Sequence, residues 1–304
     1  MRKWILALAA LALLGAACAP EETPAAGTGP TAPTGGGEMS AAECTTAHEA
    51  DFTAPGTLTV GTGNPAFPPW WEGGETDAHP EWAFDDPYLL QGFEGAFVGA
   101  VADRMGFASS EIEFVPVKFN KSFAPGDTDY DFVLQQISYT DERAQAVDFS
   151  DSYYDVNQAL VSVKGSSIEG ATSLAELQGA VLGAPLGTTS FDYVDQNIQP
   201  TEDPKVFEDL NGAVQALKNG QVDGIVVDLP SAFFVTAVQI PKGVIVGQFP
   251  TVGSQEYFAA AFELGSGVRE CVNLAIGELK AAGTLEAIQQ EWLADNASAP
   301  VIAG

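Results

Sequence analysis

The segment 131–154 holds the clearest arrangement of groups that could bind a charged ligand. Thr140 can cap a helix, and Arg143 then projects from its first turn with a planar guanidinium that suits a carboxylate. A small carboxylate could therefore dock at Arg143. The alternative is that Arg143 pairs with Glu142 or Asp148 on a solvated surface.

A second arrangement that could bind an anion follows a predicted strand over residues 180–184. The turn there contains Gly187, Thr188 and Thr189 and precedes a predicted helix. The first N–H groups of a helix have no partner within it, and glycine lets a ligand approach the backbone closely. The turn therefore favours contact with an anion. The alternative is that a threonine only caps the helix.

Motifs for enzymatic chemistry are scarce. His48 and His79 are the two histidines of the chain, and the patterns H-E-x-x-H, G-x-S-x-G and the phosphate loop are missing. No group of cysteines has the spacing of a metal site. We therefore expect no catalytic residue, no metal and no cofactor, although a pair of catalytic carboxylates stays open among 41 acidic residues.

The elements that must position these groups follow an α/β pattern, in which short apolar runs alternate with segments of helical periodicity. The predicted strands are residues 57–61, 111–117, 180–184 and 224–227. The predicted helices have apolar stripes over residues 93–105, 210–217, 268–279 and 285–292. A further short helix is expected where Ser173 and Glu176 have the spacing of a capping box.

The composition excludes one class of function. The chain has 304 residues, of which 46% are apolar, and this length is enough for two domains. Twelve Lys and Arg against 41 Asp and Glu give a net charge of −29. Such an excess of negative charge excludes a function based on attraction to nucleic acid or to anionic lipid.

The first residues have the pattern of an export signal. Arg2 and Lys3 precede an apolar run over residues 4–14, which is too short to be expected to span a bilayer. Small residues at 15–17 then precede Cys18. Residues 1–17 are therefore predicted to be a signal peptide.

The end of this signal resembles the lipobox of bacterial lipoproteins, in which the cysteine after the cleavage point is lipidated. Gly15 stands where leucine is usual. The resemblance implies a lipid anchor on Cys18, and the alternative is ordinary cleavage of the signal. Residues 18–43, rich in Ala, Pro, Thr and Gly, are predicted to be a flexible tether.

Export changes the expected state of Cys44 and Cys271. An oxidising compartment favours pairing, so we expect a disulfide that ties the start of the globular part to an element near its end. The alternative is a buried free thiol at each position.

The segment 131–154 also resembles the signature of family 3 extracellular solute-binding proteins, the amino-acid receptors of bacterial ABC importers. In that signature an Asp and an apolar strand lead to a T-x-E-R pattern and then to D-F-S-x-x-Y. The residues that match in register are Asp131, Ser138, Thr140, Glu142, Arg143, Asp148, Phe149, Ser150 and Tyr153. A weaker resemblance extends from residue 57 to residue 293.

The resemblance implies roles for residues in both halves of the chain. The arginine at the position of Arg143 takes the ligand's α-carboxylate in the family, helped by the hydroxyl of Ser138. The turn with Thr188 and Thr189 closes over that carboxylate from the other lobe. Asp228 matches the acid that binds the α-ammonium, and the alternative is that Asp228 only caps the next helix.

The resemblance also implies contacts with the rest of the ligand. Gln136 stands where the family commonly has glycine, and we expect its backbone to contact the ligand and its side chain to enter the pocket. Asn64, Phe67 and Trp70 lie in a loop that lines the cleft in the family. Phe119 matches an aromatic residue that stacks on the ligand. For the aromatic residues the alternative is a place in the core.

The fold that the resemblance implies is α/β and two-lobed, like the type II periplasmic binding proteins, with a mixed sheet flanked by helices in each lobe and two hinge crossings. We expect lobe one at residues 45–158 and 254–304, and lobe two at residues 159–253. Closure of the lobes would bury the ligand and present the closed form to a membrane permease. The segment 72–91, longer than the family norm, is expected to shape either the pocket or a partner surface.

The expected function is that of a monomeric substrate-binding lipoprotein of an ABC importer, held on the outer face of the cell membrane and binding an amino acid or a similar small polar solute. One alternative is an exported, dehydratase-like enzyme on the same fold, which would need a general acid in the cleft. The other is a sensory lipoprotein without a transport role. The sequence leaves the identity of the ligand open.

Overall fold

The computed structural model describes residues 39–293 and 299–304, and residues 39–304 belong to one compact unit. The predicted signal peptide, Cys18 and the tether as far as residue 38 lie outside the described residues. In the described part of the chain, no helix combines the length and the apolar character needed to cross a membrane.

The first helix begins inside the segment that we assigned to the tether. It spans Ala41–Ala47, and the side chain of Ser40 accepts a hydrogen bond from the N–H of Glu43. The carboxylate of Glu43 accepts one from the N–H of Ser40 in return. This reciprocal capping corrects the tether's predicted end at residue 43, and the Ser-x-x-Glu spacing was the signal for it.

The regular elements of the described residues are as follows. The α-helices are α1 (Ala41–Ala47), α2 (Phe93–Met105), α3 (Thr189–Tyr193), α4 (Leu210–Lys218), α5 (Leu229–Phe234), α6 (Val268–Ala281) and α7 (Thr284–Leu293). The strands are β1 (Leu58–Thr62), β2 (Ile112–Pro116), β3 (Phe132–Val133), β4 (Asp148–Phe149), β5 (Tyr154–Asp155), β6 (Gln158–Val163), β7 (Leu182–Pro185), β8 (Lys205–Phe207), β9 (Gly224–Asp228), β10 (Gly243–Gln248), β11 (Tyr257–Phe258) and β12 (Ala261–Phe262). The 3₁₀ turns are Glu49–Asp51, Pro87–Leu89, Ser109–Glu111, Phe119–Lys121, Arg143–Gln145 and Leu174–Leu177, and π-helical turns follow α3 at Val194–Ile198 and α5 at Val235–Gln239.

Ten of the twelve strands in the described residues form two mixed sheets, one in each lobe. The first has the order β2-β1-β3-β12-β4, in which β1, β2 and β3 are parallel and β12 is antiparallel to its neighbours. The second has the order β10-β6-β9-β7-β8, in which β6 is antiparallel to both β9 and β10. Parallel neighbours need crossover helices, which explains why helices flank both sheets.

The helices that the apolar stripes predicted are confirmed, and they cover the sheets. In the first lobe α2 and α6 pack on each other and on α1 and α7. In the second lobe α4 packs on β7 and α5 packs on β6. Gly106 follows α2 with a φ of 91°, a left-handed conformation that glycine adopts without steric cost and that ends the helix.

The predicted disulfide between Cys44 and Cys271 is confirmed. It joins α1 to α6, with the two Cα atoms 5.2 Å apart and 227 residues between them in sequence. Both side chains are fully buried in the core of the first lobe. The bond therefore fastens the first helix of the described chain to one of the helices that cover the first sheet.

Between residues 39 and 293 the chain passes between the lobes twice. The short strands β5 and β11 pair antiparallel beside the two crossings. The residues after the undescribed segment 294–298 return to the second sheet, where Val301 bridges to Gln248 and the side chain of Ile302 is buried. Our predicted boundaries assign this tail to lobe one, whereas its contacts are to lobe two because Ile302 finds an apolar cluster there.

The capping box that we predicted at residue 173 is wrong. Leu174–Leu177 forms only a short 3₁₀ turn. The carboxylate of Glu176 accepts a hydrogen bond from the N–H of Thr172 at 2.7 Å, and the backbone of Ser173 bridges to Ala303. Glu176 therefore closes a wider loop, and Ser173 is held in extended backbone by the C-terminal tail.

Candidate functional site

Arg143 is a buried cation that reaches from the first lobe to the second. The N–H of Arg143 donates to the hydroxyl of Thr140 at 3.1 Å, as the predicted capping requires, although the helix is a single 3₁₀ turn. Its guanidinium donates to the carbonyl of Ser138 at 2.6 Å and to the carbonyl of Gly187 at 2.8 Å. The surface pairing with Glu142 or Asp148 that we considered is therefore not what holds the side chain.

Aromatic rings also contact this guanidinium. Its central carbon lies 4.4 Å from the ring centroid of Phe123 and 5.6 Å from that of Phe119, distances at which a cation is attracted to a ring. Burial lowers the pKa of Arg143, although the nearby carboxylates of Asp192, Glu256 and Asp228 oppose that shift. The site thus holds a desolvated guanidinium with further N–H groups that a ligand's carboxylate can accept from.

The hydroxyls of Ser138 and Thr189 meet from opposite lobes. Their oxygens are 3.4 Å apart. Ser138 is 2% exposed and follows β3, whereas Thr189 begins α3 on the second sheet. Both were predicted to help bind a carboxylate, and the structure brings them together beside Arg143.

Thr188 has a different position from its neighbour. Its hydroxyl donates to the carbonyl of Pro185 at 2.8 Å and accepts from the N–H of Phe191 at 3.2 Å, which makes it the N-cap of α3. The capping that we weighed as an alternative for this turn is thus performed by Thr188. The hydroxyl of Thr189 is left to face the first lobe.

Asp228 lies at the end of β9, where its carboxylate accepts a hydrogen bond of 2.8 Å from the side-chain amide of Gln158. It precedes α5, but within the described residues its side chain accepts nothing from the first turn of that helix. Burial, and then the negative charge of Glu256, raise the pKa of Asp228 to about 7. The carboxylate is therefore held in a place where a positive charge would stabilise its ionised form.

Gln158 and Glu256 complete this cluster, and the sequence reasoning missed both. The amide nitrogen of Gln158 lies 3.2 Å from each carboxylate oxygen of Glu256, so one amide serves two carboxylates. Glu256 also accepts from the hydroxyl of Ser138 at 2.6 Å. These residues come from the two hinge segments, which converge only in three dimensions.

Gln136 adopts a φ of 50°, the left-handed region in which glycine is the usual residue. This backbone conformation explains why the resembling family has glycine there. The side chain of Gln136 donates to the carboxylate of Glu94 at 2.6 Å, and its N–H donates to the same group at 2.9 Å. Glu94 is fully buried and also accepts a hydrogen bond from the hydroxyl of Tyr153. The side-chain amide of Gln136 therefore binds a buried carboxylate of the first lobe, where we had expected it to enter the ligand pocket.

Burial of Glu94 raises its pKa, and burial raises that of Tyr153 well above its ordinary value. The three hydrogen bonds from Gln136 and Tyr153 favour the ionised carboxylate and so oppose the shift of Glu94. This network fixes the loop that carries Ser138 and Arg143.

The three candidate residues of the loop after β1, Asn64, Phe67 and Trp70, have different environments. Phe67 is partly buried and its ring is 5.0 Å from that of Phe84. Trp70 is 2% exposed among core aromatic residues, and its N–H donates to the hydroxyl of Ser231 on the second lobe at 3.1 Å. Asn64 is exposed, and its side chain binds the backbone of the long segment.

The structure therefore assembles only part of the predicted site. The residues that it brings together around the charged cluster are Arg143, Ser138, Thr189, Asp228 and Phe119. The contacts of Thr188, Gln136 and Asn64 are with the protein's own backbone or with Glu94. Trp70 lies in the core and contacts the second lobe.

A cavity of about 240 Å³ opens beside the cluster. Its lining includes Gln158, Thr189, Asp192 and Glu256 and further residues of both hinge segments. Arg143 and Asp228 are not part of this lining. In the described residues, no group of three or more His, Cys, Asp or Glu side chains has the geometry of a metal site.

Comparison with known proteins gives one family. Residues 73–295 match the sequence model of the family described as bacterial extracellular solute-binding proteins, family 3. The L-cystine-binding protein TcyJ of Escherichia coli strain K12 is 31% identical over 218 residues, which cover 70% of this chain and 79% of that protein. The arginine-binding extracellular protein ArtP of Bacillus subtilis strain 168 is 29% identical over 211 residues, with 67% and 78% covered.

The fold has matching solved structures. An ancestral arginine-binding protein bound to glutamine aligns with a TM-score of 0.63 and 31% identity, covering 79% of this chain and 98% of that one. The two-lobed α/β fold that we predicted is confirmed.

Proposed function

The chain belongs to the bacterial extracellular solute-binding proteins of family 3, and from that membership we propose that it is the substrate-binding component of an ABC importer and binds an α-amino acid between its lobes. One observation carries the proposal. Arg143 and Asp228 come from different lobes and stand at the two ends of one hydrogen-bonded cluster. The guanidinium donates to the carbonyl of Ser138, whose hydroxyl donates to Glu256. The amide of Gln158 in turn donates to both Glu256 and Asp228, so the cluster offers opposite charges to the two ends of an amino acid.

The carboxylate end of the ligand binds at Arg143. The guanidinium is desolvated by burial, which strengthens its attraction to an anion because little water competes. The hydroxyls of Ser138 and Thr189 add donors from both lobes. A carboxylate at this point would therefore hold the lobes together.

The ammonium end binds at Asp228, with Glu256 as a second acceptor. The amide of Gln158 donates to both carboxylates, so a single neutral group faces two acids. A ligand's ammonium brings three donors and a positive charge to the same place. Its binding would ionise Asp228 fully.

The nature of the ligand's side chain follows from charge and from the relatives. Asp192, Asp228 and Glu256 surround Arg143, so a neutral or cationic side chain is favoured over an acidic one. TcyJ is named for L-cystine and ArtP for arginine, both of which satisfy this condition. Phe119 and Phe67 are the proposed apolar walls, whereas Thr188, Gln136, Asn64 and Trp70 act by supporting the site.

The location of the protein follows from the family, whose members are extracytoplasmic. We further propose that residues 1–17 are removed, that Cys18 carries a lipid anchor at the outer face of the cell membrane, and that the protein is a monomer that delivers its ligand to a permease. The proposed lobes span residues 41–158 with 254–293, and residues 159–253 with the tail 299–304. Neither the dehydratase nor the sensory alternative is favoured by the relatives, which are named as binding proteins.

Titration calorimetry with L-arginine, L-histidine, L-glutamine and L-cystine tests the proposal. We expect at least one of these amino acids to bind without being chemically converted. Arg143→Ala should weaken that binding about 30-fold or more, because a buried ligand carboxylate loses its partner. Mass spectrometry of the ligand after incubation checks for conversion. Absence of binding to every probe, or conversion of a probe, would overturn the proposed function.

A further inference from the structure

Within the segment 72–91, the aromatic side chain of Phe84 contacts both lobes. The ring of Phe84 lies 5.0 Å from the ring of Phe67, which is in the loop after β1. On its other side it meets the ring of Phe234 edge to face, with 6.2 Å between the centroids and 86° between the planes. Phe234 belongs to α5 of the second lobe. Phe84 therefore forms an aromatic bridge across the cleft.

The backbone of Phe84 is held in an unfavourable conformation to make this bridge. Its φ is 79°, a region that a residue with a bulky side chain rarely occupies. Its N–H donates to the carboxylate of Glu75 at 3.1 Å, and the N–H of Ala83 donates to the side chain of Asn64 at 3.0 Å. These bonds fix the turn from both sides.

The backbone conformation of Phe84 is not explained by burial of its side chain in the first lobe. The side chain of Phe84 is 43% exposed, whereas its neighbours Trp82, Asp85 and Asp86 are nearly fully buried. The turn thus presents an aromatic ring outward at a conformational cost, and conformations of that kind concentrate at functional positions. The partner that the ring finds outside its own lobe is Phe234.

A second contact reaches the same helix. The indole N–H of Trp70 donates to the hydroxyl of Ser231 in α5 at 3.1 Å, and both side chains are buried. Ser231 and Phe234 are three residues apart and lie on one face of the helix. One polar and one aromatic contact therefore join α5 to the first lobe.

We propose that Phe84 is a clasp that stabilises the contact between the lobes and slows the release of a bound ligand. The part concerning release rests on the proposed function, whereas the contact between lobes does not. The segment 72–91 is then a device for retaining the ligand. An aromatic pair of this geometry strengthens the joined arrangement by about two- to tenfold.

The first test needs no ligand. Spin labels are attached at Lys205→Cys in β8 and Lys280→Cys in α6, two exposed positions on different lobes, in a Cys18→Ser background with the disulfide intact. Distances between the labels are measured by double electron–electron resonance. The variants are Phe84→Gly, Phe234→Ala and their combination. Glycine accepts the φ of Phe84, so the first variant removes the ring without straining the turn.

We expect each single variant to increase the population with separated lobes about two- to tenfold, and the combination to add little because both remove one contact. Leu89→Ala, which removes another exposed apolar side chain of the same segment, should leave the distances unchanged. Unchanged distances in Phe84→Gly, or an equal change in Leu89→Ala, would overturn the clasp.

The second test measures dissociation of L-arginine by stopped flow, with L-cystine as a second probe. Release should be about two- to tenfold faster from Phe84→Gly than from the unmodified protein. Faster unfolding with unchanged release would mean that Phe84 only stabilises its loop. If the unmodified protein binds none of the four amino acids of the calorimetric test, the proposed function fails and the distance measurement still decides the clasp.

Discussion

The side-chain amide of Gln158 lies 2.8 Å from the carboxylate of Asp228 and donates a hydrogen bond to it. Gln158 begins β6 just after a hinge crossing, and Asp228 ends the neighbouring strand β9. A neutral donor offsets only part of the burial and of the repulsion from Glu256, which together raise the pKa of Asp228 to about 7. The site therefore carries a carboxylate whose ionised form a ligand's ammonium would stabilise.

Ligand affinity should depend on pH through Asp228. The ionised carboxylate binds the ammonium, and below pH 7 the free protein is increasingly protonated at this position. The dissociation constant should therefore rise about tenfold per unit of pH below 7 and level off above it. Titration calorimetry from pH 5 to pH 9 measures this. Asp228→Asn should bind weakly and with a flat profile, and an equally steep profile in that variant would assign the effect to another group.

Glu256→Gln should change both the affinity and the pH profile. Removing the negative charge lowers the pKa of Asp228, so the profile should shift to lower pH. Above pH 8 the affinity should fall about tenfold or more, because the ammonium loses a charged acceptor. Glu263→Gln, at an exposed position outside the cluster, is the matched control. An unshifted profile in Glu256→Gln would contradict the claim that the charge of Glu256 raises the pKa of Asp228.

Loss of the disulfide should destabilise the free protein without changing the site. The combined variant Cys44→Ala and Cys271→Ala is expected to lower the free energy of unfolding by about 2–4 kcal/mol, because the bond closes a long loop in the unfolded chain. Urea unfolding with and without reductant measures this. Reductant should destabilise the unmodified protein and leave the variant unaffected; two reactive thiols in the unreduced, unfolded protein would contradict the bond.

Replacement of Cys18 tests the proposed anchor. Cys18→Ser should release the protein from the membrane fraction or leave its signal uncleaved, since serine offers no thiol to lipidate. Fractionation of cells followed by mass spectrometry of the N-terminus distinguishes these results. A correctly processed Cys18→Ser protein that stayed on the membrane would show that the anchor lies elsewhere.

Local patterns predicted the elements well. The apolar stripes of α2, α4, α6 and α7 gave these helices almost to their ends, because each stripe faces a sheet or a neighbouring helix. The family resemblance at Ser138, Thr140 and Arg143 pointed to a ligand-binding arginine, whereas the residues alone also allowed a solvated surface position; the side chain is in fact buried. In these cases the information lies within a few residues of the feature.

Features that depend on convergence of distant segments were missed. Nothing local marks Gln158 or Glu256, since they become neighbours only when the two hinge segments meet. The destination of Gln136 was also wrong in part, because a buried acid, Glu94, lies within reach of its side chain. The side chain of Asn64 binds the backbone of Glu81 and Ala83, because the segment 72–91 folds back over the loop after β1.

The central claim is that Arg143 and Asp228 bind opposite ends of one α-amino acid, and titration calorimetry with an analogue that lacks the α-amino group tests it most directly. At pH 8 the analogue should bind the unmodified protein about 30-fold to several thousand-fold more weakly than the amino acid, because a buried carboxylate loses its partner. Asp228→Ala should lose affinity for the amino acid to a similar extent and bind the analogue almost as the unmodified protein does. An analogue that bound the unmodified protein as tightly as the amino acid would remove Asp228 from the site and contradict the account.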